Sequence, residues 1–134
     1  MGKAFSLSPL VPNLAEQSAN FVKAAKIAGV KYIVRSSGMG ADSPQAITLG
    51  KWHREAEKAV ESSGIPYTIV RPNSFMQNYV NFAGHTIKNQ NAFYFPQGDG
   101  KISLIDVRDI AAVVSILLTE SGHEGKAYNL TGAE

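Results

Sequence analysis

The sequence has 134 residues, the size of one domain, and 44% hydrophobic against 18% charged residues exclude a disordered chain. Thirteen Lys and Arg against eleven Asp and Glu leave a net charge of +2, too small for an electrostatic footprint on nucleic acid. Cysteine is absent, which excludes disulfides, thiolate zinc, iron–sulfur clusters and thiol nucleophiles together.

No apolar run approaches the ~18–20 residues that cross a bilayer, and the start does not read as a signal peptide. A cytoplasmic protein with no membrane partner is the expectation. Met1-Gly2 with Ser6 matches a myristoylation pattern literally, but so short a pattern recurs by chance.

Phe5 to Pro12 reads as the tail of a strand and its loop. Asn13 with Glu16 predicts a capping box, and Leu14, Phe21, Val22, Ala25 and Ala28 recur at helical spacing behind it until Gly29. Val30 to Arg35 is β-branched and aromatic, a short strand. The loop from Ser36 to Pro44 holds two glycines and three serines. A second helix is predicted from about Ile47 to Ser63, with Trp52, Ala56, Ala59 and Val60 on one face. Pro66 to Arg71 predicts a strand that Pro72 ends.

A less regular helix is expected from Ser74 to Lys88, a strand over Ala92 to Phe95, and a turn over Gln97 to Gly100. Asp106 and Asp109 cap a third strong helix whose apolar face uses Ile110, Val113, Val114, Leu117 and Leu118. Lys126 to Leu130 is a final strand. Strands alternating with helical segments predict βαβ units and a parallel sheet. Residues 1–134 form one domain on this reading.

Two absences in the motifs are informative. No stretch matches Gly-x-Gly-x-x-Gly, Gly-x-x-Gly-x-x-Gly or a Gly-x-x-x-x-Gly-Lys-Ser/Thr phosphate loop. His53, His85 and His123 stand without metal-ligand spacing, so no metal site is expected. Lys23, Lys26, Lys31 and Arg35 read as a solvated edge without interleaved aromatics, so no nucleic-acid partner is expected.

Several segments in order carry a family resemblance. They are Phe21 to Val34, Ser36-Ser37-Gly38, the helix with His53 and Glu57, and Ser63-Gly64-Ile65-Pro66-Tyr67-Thr68-Ile69-Val70-Arg71-Pro72. Phe75-Met76-Gln77-Asn78, Asp106 to Ala111 and Gly125 to Gly132 follow. Together the chain resembles the central and later part of NmrA-like proteins, atypical short-chain dehydrogenase/reductases. The resemblance implies a partial Rossmann-like α/β fold, a three-layer sandwich with a mainly parallel sheet, lacking the N-terminal glycine-rich βαβ unit. It implies NADP or NAD as cofactor in the complete fold, with weak or no binding by this truncated chain alone. It also implies an NAD(P)H-dependent oxidoreductase acting on quinone-like or other flat small molecules. The alternative is a non-catalytic dinucleotide-sensing or protein-interaction module.

The family's Tyr-x-x-x-Lys pair would fall at Leu49 and His53, so the usual tyrosine acid is missing. The resemblance places Ser36, Ser37 and Gly38 beside the nicotinamide ribose, after a strand's carboxyl end, where open α/β sheets bind ligands. The same letters also fit a turn whose serines bond their own backbone. His53 shares a helical stripe with Leu49 and Glu57, and an imidazole in the lysine's space could touch the ribose or donate a proton. A hydrogen-bonded flank of the core explains it equally. Pro72, Asn73, Ser74 and Phe75 are placed near the nicotinamide ring, with backbone donors for its carboxamide. Tyr79 and Phe82 are candidates to line a flat substrate's pocket, or to fill a core. An uncovered sheet face and edge around Tyr32, Val34, Ile69 and Trp52 predict a homodimer or larger oligomer.

Overall fold

The computed structural model describes residues 2–95 and 98–133. Met1 of the N-terminal motif and Gln97 of the predicted turn lie outside them. The elements in chain order are β1 (Lys3–Ser6), α1 (Leu14–Ile27), β2 (Tyr32–Ser36), α2 (Thr48–Glu61), β3 (Tyr67–Pro72), α3 (Gln77–Gln90), α4 (Val107–Thr119) and β4 (Lys126–Leu130). The four strands form one sheet in the order β1-β2-β3-β4, and every pairing is parallel.

A parallel sheet needs cover on both faces. Here alternation along the strands divides the core in two. Ile33 packs with Val30 on one face, against Val22 and Ala25 of α1 and Val60 of α2. Tyr32, Val34 and Val70 face the other way, against Ile110, Val114 and Leu117 of α4. The result is the expected α/β arrangement of helices, sheet and helix. Burying a side chain such as Leu117 stabilises the fold by ~1.5–3 kcal/mol.

Local chemistry ends the elements where it should. Gly29 takes φ +71°, which lets Val30 N–H reach back to the Ala25 carbonyl at 2.9 Å and close α1. Asp106 caps α4 by accepting from the Arg108 amide at 2.8 Å, as predicted.

Four sequence expectations need correction. The capping box at Asn13 does not form, because the Asn13 side-chain oxygen Oδ1 accepts from the Gln17 side-chain amide at 3.1 Å instead of from a first-turn backbone amide. Ala92 to Phe95 is not a strand. Tyr79 stacks on Phe95 and meets Phe93 edge-on, so side-chain packing rather than a ladder places that segment. Arg35 belongs to no solvated edge, being 0% exposed. Tyr32, Val34 and Ile69 are buried as well, so they form no open face.

Among the described residues, no helix is long and apolar enough to cross a membrane. Nor does any group of three or more His, Cys, Asp and Glu gather there as a metal set.

Candidate functional site

A cleft of about 490 Å³ opens at the carboxyl ends of β2 and β3, where an open α/β sheet binds its ligands. The sheet's own ladder builds its floor. Past the end of β2, Ser37 N–H still donates to the Val70 carbonyl at 2.8 Å and Met39 N–H to that of Pro72 at 3.0 Å. These bonds hold Ser37, Gly38 and Met39 on one side of the cleft and Pro72 to Phe75 on the other. The first turns of α2 supply Leu49, Gly50 and His53.

Of the residues expected at the site, Ser37, Gly38, His53, Pro72, Asn73, Ser74 and Phe75 all line this cleft. Ser36 does not. It is buried at the end of β2. Tyr79 and Phe82 are also absent from the lining, and Phe82 is 78% exposed. Asn78, one residue away, takes the place at the rim.

The expected role of the 72–75 backbone narrows. Pro72 has no N–H, and the Asn73 amide donates to the Leu130 carbonyl at 2.9 Å. Phe75 forms a parallel bridge with Ile105, in which Ser74 accepts from the Ile105 amide and Met76 donates back. The amides of Ser74 and Phe75 are the donors that remain in this segment. The Asn73 side chain reaches the Ser103 carbonyl at 2.8 Å, which fixes the loop from below.

Beneath the cleft lies an ionic cluster that sequence reasoning missed. Glu57, 0% exposed, accepts from Arg71 Nε and Nη2 at 2.8 Å each and from Arg54 Nη1 at 2.8 Å. It also accepts the Ser37 hydroxyl at 2.6 Å. Burial disfavours its charged form, but the hydrogen bonds from Arg71, Ser37 and Arg54 outweigh that and hold its carboxyl below the usual range. Arg71 also reaches Asp42, which ties the 38–47 loop to the end of β3. The available signal was an arginine next to last in β2 and in β3, with a glutamate one helical turn after His53.

Arg35 is the second buried cation. Its Nη1 makes long contacts to Ser6 and Ser8, while Nε and Nη2 have no protein partner. Burial lowers its pKa to about 10, with Glu57 pulling the other way. His53 lines the cleft from α2. Burial pushes its imidazole pKa down first and the charge of Arg35 adds to this, against the opposing pull of Glu57. A Cβ on Gly38 would meet His53 Cδ2 at 3.1 Å, so glycine is what lets the loop close onto the ring.

A sequence-family model described as NAD(P)H-binding matches residues 5–121. The chain is 44% identical over 132 residues to an NAD(P)H azoreductase of Xenophilus azovorans, covering 98% of this chain and 46% of that protein. It is 39% identical over 118 residues to quinone oxidoreductase 2 of Escherichia coli, covering 88% of this chain and 41% of that one. Among solved structures, the triphenylmethane reductase of Citrobacter sp., complexed with NADP(H), superposes with a TM-score of 0.84 at 30% identity. That match covers 98% of this chain and 47% of the reductase. The chain thus spans less than half the length of each of these three relatives.

Proposed function

The chain belongs to the NAD(P)H-binding family, and from that premise we propose that it carries the nicotinamide side of an NAD(P)H-dependent reductase of quinone-like or other flat small molecules. The observation that carries this reading is the cleft itself, where Ser37, Gly38, His53 and Pro72 to Phe75 converge at the strand carboxyl ends. Its residues fit a nicotinamide nucleoside: two amide donors, a hydroxyl, an imidazole edge and the apolar Leu49 and Phe75. The bound cofactor would supply the hydride, as cofactors carry the hard chemistry of such reactions.

The chain's own task is then positional. Holding donor and acceptor in register does most of what direct hydride transfer asks of a protein. Leu49 and Phe75 would exclude water from the ring, while the Ser74 and Phe75 amides orient its carboxamide. Leu49 stands where the resemblance expects a tyrosine and carries no proton. His53 is therefore the group at the cleft that could hold or move one.

Amide spectra of the labelled chain test this. Adding NADPH is expected to move the signals of Ser37, Gly38, Ser74 and Phe75 with weak affinity, since the sequence contains no glycine-rich phosphate loop. Shifts confined to other residues would refute the assignment. Binding without loss of reduced-nicotinamide absorbance, when a quinone is added to a polypeptide spanning the relatives' full length, would favour the dinucleotide-sensing alternative.

We also propose self-association, on surfaces other than those expected from sequence. β1 is paired on one side only, and α3 with the following segment exposes Val80, Phe82, Phe93 and Tyr94. Light scattering after size exclusion should report a dimer or larger species. A monodisperse species of 14.4 kDa would end the idea.

A further inference from the structure

The far lip of the cleft is held by a segment that does not line it. Residues 103–105 run as a strap between the end of β3 and the end of β4, bonded to both. On the β3 side, Ile105 N–H donates to the Ser74 carbonyl at 3.0 Å and Met76 N–H to the Ile105 carbonyl at 2.9 Å. The Asn73 side chain adds a third bond, Nδ2 donating to the Ser103 carbonyl at 2.8 Å. On the β4 side, Gly132 N–H donates to the Leu104 carbonyl at 2.9 Å, and the Ser103 hydroxyl donates to the Gly132 carbonyl at 3.2 Å. Asn73 also ties the two strands directly, because its backbone amide donates to the Leu130 carbonyl at 2.9 Å.

The strap is closely fitted. A Cβ on Gly132 would collide with the Leu104 carbonyl oxygen, so only glycine lets the tail of β4 approach it. Ile105 is 3% exposed and packs in the core with Val70 and Ile110. Immediately after it Asp106 caps α4, and Val107 N–H donates to Gln77 Oε1 in the first turn of α3 at 3.2 Å. The strap thus joins the ends of two strands to the starts of two helices. Neither residues 103–105 nor Gly132 line the cleft, whereas Asn73, Ser74 and Phe75 do. A carbonyl can only accept, so the bond to Ser103 requires a donor at position 73.

We propose that Asn73 is a positioning residue, which through the 103–105 strap holds the ligand-facing turn 73–76 and links it to Gly132, so that occupancy of the cleft at Ser74 and Phe75 tightens the end of β4. Coupling of this kind is reciprocal, so loosening the strap at Gly132 also loosens the turn. The ligand rests on the nicotinamide reading; the strap is a property of the ligand-free chain.

Amide hydrogen exchange of the labelled chain tests this, with Ile33, whose N–H donates to the Pro66 carbonyl at 2.9 Å, as the control for the sheet. Asn73→Asp keeps an acceptor at the cleft and removes the donor. It should speed exchange at Ile105 and Met76 about tenfold, the scale set by losing one buried hydrogen bond, and leave Ile33 unchanged. Equal exchange at Ile105, or a rise at Ile33 as large as at Ile105, would overturn the role of Asn73. Gly132→Ala acts from the other side and should speed the same two amides; no change at Ile105 would overturn the link to β4. NADPH should slow exchange at Ile105 and Gly132 in the wild-type chain, and the slowing at Gly132 should vanish in Asn73→Asp. Slowing that persists there, with affinity retained, would mean that residue 73 meets the ligand through its oxygen and would overturn the proposal. If NADPH moves no amide while Asn73→Asp still loosens Ile105, the nicotinamide reading fails and the strap stands.

Discussion

Glu57→Leu is expected to destabilise the chain by ~3–5 kcal/mol, the cost of removing one partner from a buried ion pair. The carboxylate is 0% exposed and holds Arg71 through two bonds, so its loss leaves a guanidinium that is 9% exposed with only the half-exposed Asp42 for a partner. Ser37 loses its acceptor in the same step. Urea unfolding of the two proteins measures the difference. A loss below ~1 kcal/mol, the scale of a surface pair, would mean that the network is solvated. The pH dependence has a definite sign. The folded-state pKa of Glu57 lies below its unfolded value, so its contribution is complete above the unfolded pKa and is lost as pH falls through the folded one. The wild-type acid limb should therefore be steeper than that of Glu57→Leu, and the two should converge in strong acid.

Most of the fold was legible because its periodicities are local. Leu14, Val22 and Ala25 mark α1 at helical spacing, Ile110, Val114 and Leu117 mark α4, and the β-branched runs of β2 and β3 mark the buried strands. Less legible were features decided by contacts distant in sequence. The Ala92 to Phe95 run is aromatic-rich like a strand, yet stacking of Tyr79 on Phe95 settles its course. Arg35 reads as solvated because arginines usually are; its burial beside Ser6 and Ser8 depends on the pairing of β1 with β2, residues nearly thirty positions apart. The cleft followed from a simpler rule, that loops after parallel strands gather at one edge. That rule pointed to Ser36, Ser37 and Gly38, while Pro72 to Phe75 came from the resemblance, and the rule alone could not separate Ser37, which lines the cleft, from Ser36, which does not. Period-two alternation could have done so once Val34 was assigned to the α4 face.

Arg35→Met, by contrast, is expected to raise stability, by ~1–4 kcal/mol. The two buried cations differ in what they leave behind. Arg71 meets a carboxylate with paired bonds, whereas Arg35 has three contacts of 3.2–3.5 Å from one nitrogen and two nitrogens with none. A methionine fills a similar space, removes those unmet donors and leaves only the hydroxyls of Ser6 and Ser8 to rearrange. Its contact with Glu57 is through space and favourable, which trims the gain, and this can be isolated. In a double-mutant cycle of Arg35→Met with Glu57→Gln, the coupling measures the attraction between the two charges. A loss of stability in Arg35→Met alone would show that this attraction exceeds the cost of burying the guanidinium.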